Sequence, residues 1–295
     1  SWTLLDSGTG PPPRFGHAMS YDVARARLVL FGGIGPTSRL ADTWEWDGLG
    51  WTRVGLAGGP SNRTAHSMVY DPVRGLTVLF GGDDLTPLSD TWTWDGTIWT
   101  QSRPAMSPPP RFSAGLAFDS TRGRILLFGG YQDYAWVPSP ETWEFDGANW
   151  RRLSTIGPAR ANHVIFFDTA LQRLILFGGG DRTSVGNDTW TWDGQQWFAH
   201  ATAPAPSPRG CASIAYDSLR QRAVLFGGAS RNGHSPAETW EWNALGWALA
   251  QSPADTGRYN HVMVQDSTTP IIFGGRGRSG LRDDTWRWTG NTWLQ

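Results

Sequence analysis

Short apolar runs broken by Gly, Pro, Asp and Ser make up most of the chain, and their lengths are those of strands. Between His17 and Val54, "HAMSYD", "ARLVLFGG", "DTWEWD" and "WTRV" are β-branched or aromatic runs bounded by turn residues. No segment carries a 3.6-residue apolar period across a dozen positions, so helices are expected to be scarce. The links between first and second runs ("YDVARAR", "YDPVRG", "FDSTRGR", "FDTALQR", "YDSLRQR") hold an Asp whose side chain can accept the backbone N–H groups of a tight turn. That Asp set reads as a turn device, not an active site.

The four runs recur along the chain. A phrase close to "LFGG" ends at Gly33, Gly82, Gly130, Gly179, Gly228 and Gly275, in steps of 49, 48, 49, 49 and 47 residues. Each glycine pair is followed, after a variable loop, by an acid-Thr-Trp phrase, and a further Trp closes the unit at Trp51, Trp99, Trp150, Trp197, Trp247 and Trp293. Six units of four strands fill the sequence, at about 14–54, 63–102, 111–153, 160–200, 209–250 and 258–295.

These residues resemble the kelch repeat, whose period of about 50, paired glycines and spaced aromatics are matched in all six units. The resemblance covers essentially the whole chain. It implies an all-β fold, a six-bladed propeller of four antiparallel strands per blade, residues 1–295 forming one domain, with the first strand of each blade lining a central channel. On that reading the Trp sets wedge between blades, each removing about 150–250 Å² from water. The glycine pairs lack the following helix or Lys and Ser/Thr of a phosphate loop, and serve positive φ and close approach instead. "SWTLL" at the start matches "WTRV", so one fourth-strand phrase is surplus. The expected closure has residues 1–5 complete the last blade beside Trp288, which removes an exposed edge.

Composition then excludes whole classes. The 295-residue chain has a formal net charge of −1, and its 25 cations are all Arg, so it lacks the basic field that nucleic-acid binding needs. The longest apolar runs fall far short of the roughly 20 residues that cross a bilayer. Cys211 is the single cysteine, which excludes an intrachain disulfide. The start at Ser1, without Met, fits either a processed mature protein or a trimmed sequence, and one cysteine says little about compartment; a secreted bacterial protein is slightly favoured over a cytoplasmic one, and a monomer is expected. Asn62 and Asn187 open Asn-x-Thr triplets, which matter only in a host that glycosylates.

Candidate chemistry sits on one rim. Arg14, Arg63, Arg111, Arg160, Arg209 and Arg258 open the units, level with Asp42, Asp90, Glu141, Asp188, Glu238 and Asp284. Two readings stay open: an Arg–carboxylate ladder fixing blade registration, or guanidinium groups facing the channel mouth to hold an anionic ligand. His17, His66, His163 and His261 follow the Arg in four units and read as structural, on blades too far apart to share one metal ion. No metal or other cofactor is expected.

The loops between second and third strands differ in every unit. The longest, 131–140, holds Tyr131, Asp133, Tyr134 and Trp136, aromatics with no strand to pack in, and the loop at 229–237 adds Arg231 and His234. Nothing resembles a catalytic triad or a metalloprotease helix. Kelch-type copper-radical oxidases need a Cys–Tyr cross-link with further Tyr and His ligands, which this chain does not offer. The expected function is a binding module that presents this face to a protein, peptide or carbohydrate. The alternative is an enzyme using the channel mouth as a pocket, a sugar isomerase or epimerase or a cyclase or lyase of secondary metabolism.

Overall fold

A computed structural model describes residues 10–55, 58–217, 219–251 and 257–294. Among these, every regular element is a strand and none is a helix. The first unit forms Ala18–Asp22, Arg27–Phe31, Thr43–Trp46 and Trp51–Val54, paired antiparallel in chain order. The same four-stranded sheet recurs six times, accompanied by a small three-stranded ribbon of Arg258–Tyr259, Arg276–Gly277 and Gly280–Leu281.

Each hairpin between first and second strands turns on its Asp. In the first unit Asp22 Oδ1 accepts the Arg25 N–H at 3.1 Å, and in the third Asp119 Oδ1 accepts those of Thr121 and Arg122 at 2.9 and 3.1 Å. The second strands, such as "RLVLF", are buried from their second residue onward. A strand that buries consecutive residues is covered on both faces, so these sheets are stacked face to face. The fourth strand buries little beyond its Trp and faces outward.

The core is accordingly distributed between sheets. Val29 and Phe31 of the first unit pack with Met68, Leu79, Trp94 and Trp99 of the second. Leu28, Leu30, Trp46 and Trp51, from the other face of the first unit, pack with Ile271 and Phe273 of the sixth. The Trp of each fourth strand is the bridging element. Its ring lies against the second-strand Phe of the preceding unit, as with Trp197 on Phe128 at 4.5 Å and Trp51 on Phe273 at 5.2 Å between centroids. Its indole N–H donates to that unit's third-strand Thr: Trp99 to Thr43 at 2.8 Å, Trp197 to Thr142 at 2.9 Å, and Trp51 to Thr285 at 3.5 Å. Burying each of these rings is worth roughly 4–6 kcal/mol of transfer free energy before ordering costs.

Two backbone ladders run the same course. The second glycine of each pair donates to the carbonyl of the next unit's Arg, from Gly33 to Arg63 at 2.8 Å through to Gly275 to Arg14 at 2.8 Å. Gly82 shows why glycine is required: its φ is +98°, and a Cβ would sit 2.7 Å from His66 Cβ and 2.9 Å from the Thr64 carbonyl oxygen. Nearer the axis, Ala65 N–H donates to Gly16, Ser113 to Ala65, Asn162 to Ser113, Cys211 to Asn162, Asn260 to Cys211 and Gly16 to Asn260, at 2.8–3.1 Å. This last set returns to its starting residue.

The last sheet departs from expectation. The place beside Trp288 is filled by Trp293–Leu294, with Trp288 paired to Trp293 and Arg287 to Leu294. The tight turn joining Thr289 N–H to the Thr292 carbonyl at 3.0 Å makes that pairing local, and a short loop closes at less entropic cost than joining distant ends. The expected pairing of residues 1–5 lies outside the described residues.

The Trp–Thr bonds give a stability prediction. Thr142→Val keeps the side-chain shape but leaves the Trp197 indole N–H buried without its acceptor, at a cost of about 1–3 kcal/mol in denaturant unfolding. Thr93→Val, removing a hydroxyl in a half-exposed position, should be near neutral. Equal effects from the two would show that the inter-sheet hydrogen bond contributes nothing.

Candidate functional site

The first strands of the six sheets surround a cavity of about 780 Å³. At one mouth, its narrow collar is the returning set of hydrogen bonds, contributed by Gly16, Ala65, Ser113, Asn162, Cys211 and Asn260. All six residues hold left-handed backbones, with φ from +52° to +63°, and five of them are not glycine. A left-handed L-residue costs of order 1–2 kcal/mol, and the ring of N–H···O bonds holds each in place. The collar is therefore a fixed backbone carrying side chains that change from unit to unit.

The structure does not place the Arg set at this mouth. Arg14, Arg63, Arg111 and Arg209 are almost wholly buried, and none of the six lines the cavity. Arg14 Nη1 and Nη2 donate to Asp42 at 2.7 and 2.8 Å, and Nη1 also donates to the Gly32 carbonyl at 3.0 Å. Arg63, Arg160 and Arg258 make the same fork on Asp90, Asp188 and Asp284, and Arg111 and Arg209 bond Glu141 and Glu238 through one nitrogen. The Trp second in each third strand adds a further donor, as from Trp44 to Asp42 at 2.7 Å. Burial pushes the Asp42 carboxyl up, but the hydrogen bonds and charge of Arg14 and the Trp44 N–H outweigh it and hold the group below the usual carboxylate range. These arginines form the Arg–carboxylate ladder; a charge so deeply buried needs its partner, and each guanidinium is held by a carboxylate and by a glycine carbonyl of its own unit.

The loop residues divide. On one side of the mouth Tyr131, Tyr134 and Trp136 gather around Phe112, with ring centroids 5.5, 5.9 and 5.5 Å from it. Tyr131 is buried beneath, whereas Tyr134 and Trp136 are 46% and 37% exposed beside exposed Val137 and Leu85. Trp136 reaches the cavity wall with φ +62°, and Leu85 has φ +99°. Positive φ at bulky residues is uncommon and concentrates at functional segments. Asp133 folds the loop, its Oδ1 accepting the Ala135 N–H at 2.9 Å. Arg231 and His234 are exposed on a different loop, off the cavity wall, and are not brought to Trp136.

Two charged residues join the aromatic group. Asp83 accepts from Tyr134 Oη at 3.2 Å and from the Leu85 N–H at 2.7 Å, and Arg39 approaches it at 3.5 Å; Arg39 and Asp83 both line the cavity. Sequence reasoning passed over Arg39, Phe15 and Phe112. A signal existed within the repeat, because the residue after each opening Arg changes from Phe15 to Thr64, Phe112, Ala161, Gly210 and Tyr259 while the Arg itself holds.

The remaining titratable groups of the cavity are held away from acid–base use. His17, His66, His163 and His261 are buried against the second-strand Phe of the preceding unit, at 5.5–5.7 Å between ring centroids. Burial, then the charge of the nearby Arg, lowers His66, His163 and His261 to about 3, and His17 falls well below its ordinary value for the same reasons. Enclosure pushes the Cys211 thiol up to about 12, so at neutral pH it is a thiol and not the reactive thiolate. Among the described residues no three His, Cys, Asp or Glu side chains converge to hold a metal ion, and no helix is long and apolar enough to cross a membrane.

A family model described as the KLHDC2/KLHL20/DRC7 Kelch-repeats domain matches residues 1–163, more than half of the chain. No curated protein matches it.

The buried histidines predict acid sensitivity with a defined window. Their folded pKa values lie below the ordinary 6.5, so between pH 6.5 and about 3 the unfolded chain binds protons that the folded chain refuses. Stability falls as pH falls through that range, by up to about 1.4 kcal/mol per pH unit per His. Denaturation midpoints measured between about pH 6.5 and 4.5, above the carboxylate range, should decline, and His163→Leu should make the decline shallower. A flat profile would show that these rings protonate in the folded state.

Proposed function

The chain belongs to the kelch-repeat family, and from that premise we propose that it is a protein-binding module built on one six-bladed, closed propeller. The six-fold count and the closure are supported by three sets of contacts that return from the sixth unit to the first: Gly275 to Arg14, Gly16 to Asn260, and Trp51 to Thr285. The ladder arginines fix that frame. Recognition belongs to the loops between second and third strands.

One observation carries the reading: Trp136, half exposed at the cavity edge, is held in a left-handed backbone on a platform of Phe112, Tyr131 and Tyr134. An aromatic ring fixed in this way offers large contact area at little entropy loss, which is the character of interface hot spots. Leu85, Tyr134 and Val137 extend it as an exposed apolar patch, and the Asp83 carboxylate at its border is met by Arg39 only at 3.5 Å. The partner that fits is a peptide segment bringing an apolar or aromatic side chain onto Trp136, with a hydrogen-bond donor toward Asp83.

Selection of displayed random peptides on the intact protein, followed by titration of the enriched sequences, tests this. Trp136→Ala should weaken the enriched peptides by at least about tenfold, while Ile156→Ala, at an exposed apolar position away from the cavity, should leave them unchanged. Enriched peptides that bind Trp136→Ala as tightly as the native protein would move the site elsewhere.

A further inference from the structure

Most arginines of this molecule pair with carboxylates among the described residues, but three that make no such pair share one loop of the last unit. Its loop "RGRSGLRDD" carries Arg276, Arg278 and Arg282, and none of the three guanidinium groups makes an ion pair or hydrogen bond among the described residues. The loop is nonetheless built. It forms the three-stranded ribbon with Arg258–Tyr259, and Arg282 is fixed through its own backbone, its N–H donating to Gly275 at 2.9 Å and its carbonyl accepting from Arg14 at 3.1 Å.

Gly257, Arg278, Ser279 and Arg282 line a cavity of about 340 Å³. Gly277 lets the Arg282 guanidinium lie along the backbone, since a Cβ there would stand 3.1 Å from Nε and 3.2 Å from Nη2. That Nε is buried without an acceptor, an arrangement that costs stability unless something fills it. Among the described residues the neighbouring carboxylates do not. Asp284 feels the charge of Arg282, but both its oxygens are taken by Arg258 and one also by the Trp286 indole, and Asp283 is exposed. Gly257 also abuts the Ser235 carbonyl too closely for a Cβ.

We propose that this notch is an oxyanion site whose ligand is a phosphoryl group carried on a larger molecule. Two arginines and Ser279 line one space, and guanidinium forks match phosphate oxygens bidentately. A volume of about 340 Å³ lies within the range of small-molecule sites, leaving room for the group that bears the phosphate. The anion contact foreseen for the opening arginines falls instead to arginines outside the repeat. The inference uses no residue of the aromatic rim and stands or falls apart from it.

The test is calorimetric titration and thermal unfolding of the intact chain with inorganic phosphate and with O-phosphoserine, each against sodium chloride of matched ionic strength, with glutamate as the carboxylate arm. Saturable binding is expected, with a Tm rise of about 3 °C at roughly ten times Kd, and phosphoserine binding at least as tightly as phosphate. Arg278→Gln, an exposed substitution that leaves the fold intact, and Arg282→Gln should each weaken binding by about tenfold. Arg103→Gln, at another exposed arginine, should behave as the native protein. The proposal is overturned by a response no larger than that of chloride, by native affinity in Arg278→Gln, or by glutamate matching phosphoserine.

Discussion

The second glycine of each pair gives its N–H to the carbonyl of the next unit's Arg, and that Arg is clamped by its own unit's carboxylate and glycine carbonyl. One buried guanidinium thus ties strand ends within a sheet while its backbone holds the sheet before it. A four-stranded sheet with two apolar faces has no stable form alone, and the fourth-strand Trp lacks an acceptor until the preceding unit's Thr supplies one. The hydrophobic clusters, the Trp–Thr bonds and the glycine ladder all act between neighbours, so stability resides in the junctions more than in the sheets.

This organisation explains what could be read from sequence. Strands, turn aspartates and the packing of the Trp sets were legible because a repeated residue meets a repeated partner, and six copies of one pattern leave few alternatives. The aromatic loop was legible for the opposite reason: Trp136 and Tyr134 have no counterpart in the other units. Orientation was not legible. The spacing from Arg14 to Asp42 is the same whether the guanidinium faces the channel or the sheet, and the cost of an unpaired buried charge decides it. Nor does spacing reveal that Arg39, Asp83 and Tyr134, from three different loops, meet at one carboxylate. Beside Trp288 two segments fit one slot by motif, and loop length favours the nearer, Trp293–Leu294.

The collar shows how a rigid frame carries variable chemistry. Five non-glycine residues accept a strained backbone because each N–H and carbonyl there is bonded to a neighbour, leaving the side chains free to be methyl, hydroxyl, thiol or amide without moving the chain. Trp136 extends the principle to the rim, where a strained backbone sets a ring on an aromatic floor. In the sixth unit a loop on the same frame carries Arg276, Arg278 and Arg282, whose guanidinium groups pair with no carboxylate among the described residues. Activity on this molecule is sought where the repeat is broken.

Amide hydrogen exchange, resolved by residue, tests the central claim that the junction between the sixth and first units equals the other five. Gly16, whose N–H donates to Asn260, should exchange as slowly as Ala65, Ser113, Asn162, Cys211 and Asn260. If Gly16 exchanged at the rate of an exposed residue such as Arg103 while the other five stayed protected, the array would be open and the account wrong.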